Sequence, residues 1–221
     1  MGFQSSTALV GLDRIDEAIA IQRDLYERFG QRFGPAHAQT LIAAHELGVN
    51  LGRVDRFAKP LAPLSAAVEP KRAAFGPAKG NTMNSMAQLA LVQVRGGRVA
   101  DAQATVDAIW SGGYVAQNDH DRRSESLLYR TMGEIALADG RTNDAQRHCR
   151  RSVDEVAKFF PEGHPARLQA RACLALANWR VDRNRNARAA LLAIKPALTA
   201  GGRVAAYWLA KVDAAIAESA G

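Results

Sequence analysis

Apolar residues recur at helical spacing through most of the chain, as in Ile15, Ala18, Ile19 and Leu25, and Gly, Pro, Asp or Asn repeatedly interrupts the pattern. These interruptions predict helices near residues 14–32, 37–50, 54–74, 81–95, 99–111, 123–138, 142–159, 166–181, 184–199 and 203–219. No run approaches the ~18 consecutive apolar residues that a membrane-spanning helix requires. The expectation is therefore a chain of paired helices in the cytoplasm, without a membrane segment.

The interruptions are periodic. Five segments, Asp13–Ala18, Gly52–Ala58, Gly97–Ala102, Gly140–Ala145 and Asp182–Ala187, share a Gly/Asp-Arg start, and these starts lie 39, 45, 43 and 42 residues apart. A second motif keeps step with them: Gly34-Pro-Ala-His37, Gly76-Pro-Ala-Lys79 and Gly163-His164-Pro165 place His or Lys 24, 27 and 24 residues after an anchor. Two motifs in one register indicate an internal repeat. Gly tolerates the left-handed conformation at a helix end, and Asp or Asn satisfies free amides at a helix start. Proline cannot continue a helix but fits its first turn. Each repeat thus reads as helix, tight turn, helix, loop.

Small residues sit at fixed places. Ala90, Gly133 and Ala175 precede their anchors by seven positions, and Ala18, Ala102, Ala145 and Ala187 follow theirs by five. Small side chains on both helices of a crossing let the axes approach closely. The second repeat departs, with His45 at the small position and Ala58 one place late, which predicts an irregular turn.

These residues resemble tetratricopeptide repeats, in the longer variety of about 42 residues whose Gly-x-x-His-Pro opens the next helix pair, as in kinesin light chain and many bacterial signalling proteins. The likeness spans residues 5 to about 200. It implies an all-α, right-handed αα superhelix: a solenoid of about four to five helical hairpins plus a C-terminal capping helix. The domain reading is one unit over 1–221, with repeats near 5–35, 36–77, 81–122, 123–164 and 165–200 and a cap at 203–219. Phe3–Val10 reads as the tail of a helix whose front is missing, which suggests a fragment of a larger protein. The short Met1–Ser6 match to a myristoylation pattern is read as a plain start. Ile15, Ala18, Ile19 and Leu25 are expected to leave an exposed apolar face, open to a neighbour or to a homodimer contact.

Charge adds a bias. The formal net charge is +7, and residues 111–221 hold 17 basic and 12 acidic side chains against 12 and 10 in residues 1–110. Such a surplus attracts acidic partners; nucleic acid is the disfavoured reading, because the arginines are interleaved with acids. Cys149 and Cys173 are expected to be reduced, small and buried. His37 and His164 are expected to cap or pack at helix starts, and His120 to lie in a flexible polar loop. No nucleophile elbow, phosphate loop or metal-ligand spacing is present, so no enzyme activity, cofactor or metal is assigned.

In the repeats that the chain resembles, the first helix of each pair lines the concave side. By position that face carries Gln39, Glu46, Asn50, Asn84, Arg95, Arg130, Glu134, Gln169, Trp179 and Arg180, a candidate groove for a protein or extended, acidic peptide. The implied function is a non-catalytic scaffold, the interaction or regulatory module of a bacterial signalling protein. The alternatives are a peptide-responsive regulator of a kinase or transcription factor, and a basic nucleic-acid-binding repeat.

Overall fold

A computed structural model of the chain describes residue 9 and residues 14–53, 61–76 and 78–219. Among them lie ten α-helices and no strand: α1 Ile15–Phe33, α2 Ala38–Arg53, α3 Leu61–Phe75, α4 Gly80–Arg95, α5 Val99–Ser111, α6 Asp119–Ala138, α7 Thr142–Phe159, α8 Pro165–Val181, α9 Arg185–Ala200 and α10 Gly202–Glu218. The irregular turn expected in the second repeat and the helix tail expected at Phe3–Val10 fall outside the described residues, except Leu9. None of the helices is long and apolar enough to cross a membrane.

Local chemistry sets the boundaries. At the tight turns, Gly97 and Gly140 adopt φ 79° and 75°. The following N–H groups then fold back, Arg98 N donating to Gln93 O at 2.8 Å and Arg141 N to Ala136 O at 2.9 Å. That closes the preceding helices with a Schellman-type cap, which a residue with a Cβ adopts only under strain. At the opposite ends, Asn184 Oδ1 accepts from Ala187 N at 2.9 Å and His164 Nδ1 from Ala166 N at 3.2 Å. The His164 ring also stacks on Phe160, and His37 on Phe33, at 4.3 and 4.6 Å. His37 and His164 therefore do hold helix starts, with an aromatic partner four residues upstream.

Two expectations about this region need correction. The segment before α6 is not a loop up to residue 122: Asn118 Oδ1 caps Asp121 N at 3.0 Å, so Asp119–Asp121 form the first helical turn. His120 is consequently helical, its Nε2 3.2 Å from Asn81 Oδ1 of α4. Cys149 and Cys173 are not free thiols but a disulfide between α7 and α8, their Cα atoms 5.5 Å apart. Gly133 of α6 makes room for it, because a Cβ there would stand 2.5 Å from Cys149 Sγ and 2.9 Å from Cys173 Sγ.

Each helix packs on the next in sequence. The inner helices α2, α4, α6, α8 and α10 also pack on their inner successors, whereas the outer helices α1, α3, α5, α7 and α9 share no substantial contact with one another among the described residues. Helices that touch on one side only bend the stack toward that side. The small residues expected at the crossings are buried: Ala18, Ala90, Ala102 and Ala145 completely, Ala175 and Ala187 nearly so. His45, in the corresponding place on α2, is held neutral: burial, then the charges of Lys71 and Arg53, push its pKa down to about 3.

Ile15, Ala18 and Ile19 are buried as well, and Leu25 is half-buried, which corrects the expectation of an exposed N-terminal face and removes the argument for a homodimer through it. Ile15 and Ile19 form a cluster with Leu47 and Leu51 of α2, and Val204, from the far end of the chain, packs against it.

Candidate functional site

The inner helices carry a ladder of polar contacts one repeat apart. Asn81 meets His120, Arg95 meets Glu134, and Arg130 donates through Nη1 to Gln169 Oε1, each pair 39 residues apart in sequence. Arg180 and Glu218 add a rung at 38, with nitrogen–oxygen distances of 2.7 and 3.1 Å. Equivalent positions of these repeats lie about 43 apart, so a partner 39 residues on sits one helical turn nearer the start of the next inner helix. The long arginine side chains span that offset.

The centre of the ladder is a buried charge cluster. Arg95 at the end of α4 makes two parallel bonds to Glu134 of α6, Nε to Oε2 and Nη2 to Oε1, both 2.8 Å. Arg130 Nε lies 3.8 Å from Glu134 Oε1. Side-chain exposures of 8 %, 9 % and 2 % for Arg95, Arg130 and Glu134 leave little water to screen them. Burial first, and the neighbouring Arg95 charge second, push the Arg130 guanidinium down to about 10. Two guanidinium groups thus share one carboxylate.

The last helix completes the cluster. Tyr207 of α10 places its ring 4.1 Å beneath the Arg95 guanidinium, and Trp208 lies 5.6 Å from it. Lys211 stands 5.1 Å from the same tyrosine ring. One turn earlier on α10, Arg203 Nη1 reaches Asp16 Oδ2 of α1 at 2.9 Å.

Of the candidate groove residues, Arg95, Arg130, Glu134 and Gln169 come together in this network. Arg180 occupies the separate rung to Glu218, whose carboxyl it holds below the usual range. Trp179 is 3 % exposed and belongs to the core around Leu191 and Trp208, so it lines no open surface. Gln39 is exposed at the start of α2, and Asn84 is half-buried on α4. Asn50 is buried and accepts from Arg53 Nη1 at 2.9 Å. Glu46 lies near Arg53 and Lys71, and burial pushes its carboxyl up. These four are not joined to the central cluster by any bond described above. Arg203, Tyr207 and Lys211 escape a reading of the first four hairpins, because α10 presents them across the interior.

No family profile matches the chain, and no curated protein does. Solved structures do. A putative kinesin light chain from Podosopora anserina with nearly identical TPR-like repeats superposes with a TM-score of 0.59 at 16 % identity, covering 91 % of this chain and 95 % of that one. A single-substitution variant of it gives 0.60 at the same identity and coverage. The helix pairs, their inward curvature and this likeness together establish an all-α TPR-like repeat solenoid.

Proposed function

We propose that the chain is a non-catalytic interaction scaffold whose inner face binds an acidic, extended protein segment, and that it serves as the interaction module of a bacterial signalling protein. One observation carries the reading: the inner helices keep two arginines around a single glutamate where apolar side chains would pack at least as well. A buried ion pair adds little net stability over an apolar replacement, so its presence there favours recognition over packing. An arginine fork suits a carboxylate, since it offers two parallel donors. Resemblance to the longer repeats of bacterial signalling proteins supports the cellular role.

The test is calorimetric titration of the purified chain with acidic peptides. Binding that Arg130→Ala or Asn84→Ala weakens at least tenfold, about 1.4 kcal/mol, supports the proposal. Equal affinity in wild type and both variants, or no binder among the peptides, refutes it.

A further inference from the structure

The loops between successive hairpins gather on one edge of the solenoid, where outer helices end and inner helices begin. Lys71, near the end of α3, donates through Nζ to Ser85 Oγ of α4 at 2.8 Å, and His120 in the first turn of α6 meets Asn81 in the first turn of α4. Among the described residues seven large apolar side chains are exposed, and four of them, Phe33, Phe75, Trp110 and Val115, stand on this edge. Phe33 and Phe75 are the last residues of α1 and α3, Trp110 is the last but one of α5, and Val115 lies in the loop that follows. Neighbouring helices pack about 10 Å apart, so these side chains form a row along three consecutive hairpins.

The row is held in place. Tyr114 is buried and its hydroxyl donates to Asp121 O at 3.3 Å, while Gln117 N donates to the Asp121 carboxylate at 3.0 Å. The loop is thus pinned before and after Val115, which remains 63 % exposed. Phe33 and Trp110 each lean on the ring four residues on, His37 and Tyr114, with centroids 4.6 and 6.1 Å apart. Phe75, 61 % exposed, has Lys79 at that place. Cations flank the row: Arg32 lies 5.2 Å from the Phe33 ring, Lys79 and Arg122 are exposed, and Arg123 lies 5.7 Å from the Phe159 ring. The acids nearby are engaged. Asp121 is buried, Asp119 stands 3.9 Å from Arg122, and Glu162 pairs with Arg167 at 2.8 Å.

We propose that this edge docks the chain on an anionic lipid surface, without spanning it. Phe75, Trp110 and Val115 sink into the boundary between headgroups and acyl chains, a depth that apolar side chains of peripheral proteins reach and that Trp favours. Arg32, Lys79, Arg122 and Arg123 meet the lipid phosphates, and the net charge of +7 draws the chain to the surface from a distance. Separate tips on successive loops suit a soft surface into which each can sink. Val115 offers no ring on which a base could stack, so lipid accounts for it where nucleic acid does not. The docking edge is separate from the inner face, and neither depends on the other.

The test is flotation of the full chain with vesicles of phosphatidylcholine and phosphatidylserine in equal parts, against vesicles of phosphatidylcholine alone. Binding to the anionic vesicles only, weakened by salt, is expected. The other two tryptophans, Trp179 and Trp208, are buried, so quenching of fluorescence by lipid brominated on its acyl chains reports Trp110 at the boundary. Phe75→Ser with Val115→Ser should lower partitioning at least tenfold, the factor about one buried Phe side chain supplies. Lys79→Gln with Arg122→Gln should lower it about thirtyfold, a factor of about five for each charge. Val181→Ser, at the opposite edge, should change nothing. Absence of quenching in the unaltered chain, equal binding to both vesicles, or undiminished binding by the double-serine variant with native circular dichroism overturns the proposal. So does binding of a single-stranded oligonucleotide, or self-association seen by light scattering, that the double-serine change abolishes while the unaltered chain ignores both vesicles.

Discussion

Replacing Glu134 by Gln tests the energetics of the inner cluster most directly. At 2.8 Å and an effective dielectric of about 20, one Arg95–Glu134 contact amounts to an attraction of about 6 kcal/mol. Much of that is offset by the cost of removing both charges from water, so the pair as a whole adds little over an apolar substitute. Deleting the carboxylate alone is different, because Arg95 and Arg130 then face each other in a site with 8 % and 9 % side-chain exposure. The expected loss is about 3–5 kcal/mol, or roughly 6–20 °C in melting temperature for a chain of this length. Asp101→Asn is the matched control: its pair with Arg98 is 50 % and 49 % exposed, and the expected cost is at most about 1 kcal/mol. Urea titration followed by circular dichroism, with hydrogen exchange over α4 and α6 to localise the change, measures both. Arg95→Met, Arg130→Met and Glu134→Leu combined should recover most of the loss. If Glu134→Gln costs no more than Asp101→Asn, the account of a buried, mutually dependent cluster is wrong.

Other predictions concern the joints of the array. Gly133→Ala forces a methyl group against both sulfurs of the disulfide and should cost about 1–3 kcal/mol; an unchanged thermal midpoint would show that α6 and α7 part freely. His45 titrates in the folded state near 3, below its ordinary 6.5, so its contribution to stability is complete above pH 6.5 and is lost as pH falls toward 3. That amounts to about 2 kcal/mol between pH 6.5 and 5, and His45→Leu should flatten the slope. The raised carboxyl of Glu46 acts in the opposite sense, so urea midpoints of wild type and variant must be compared at both pH values, and parallel curves would exclude His45 as the source. Asn118→Ala removes the cap of α6 at a cost of about 1 kcal/mol, read first as faster hydrogen exchange at Asp119–Arg123; unchanged exchange there would mean the turn is held by other contacts.

Much of the fold was legible because it rests on local rules. Gly97, Gly140 and Asn184 carry their own conformational preferences, and helix ends follow from them within a residue or two. The start of α6 was misplaced because its loop lacks the Gly-Pro signal and uses Asn118 instead, a cap readable in the segment Asn118–Asp121. The aromatic four residues before His37 and His164, Phe33 and Phe160, was also visible and recurs before Lys79 as Phe75. The central rungs were half legible: Arg95, Arg130, Glu134 and Gln169 were all placed on the inner face. Their pairing was not, since it depends on a one-turn stagger between neighbouring helices. The meeting of Arg203 with Asp16 depends on the summed curvature of every joint between them, and no local pattern encodes a sum.

The Cys149–Cys173 bond joins the outer helix of one hairpin to the inner helix of the next. In an array where each unit leans only on its neighbours, melting ordinarily begins at either end and travels inward. A covalent weld at one boundary makes that traffic directional: the oxidised chain should fray from its N-terminal units, while α6 through α9 persist as a single block. Reductant abolishes the asymmetry, so the redox state of the surroundings decides whether the N-terminal end of the rod lets go before the other.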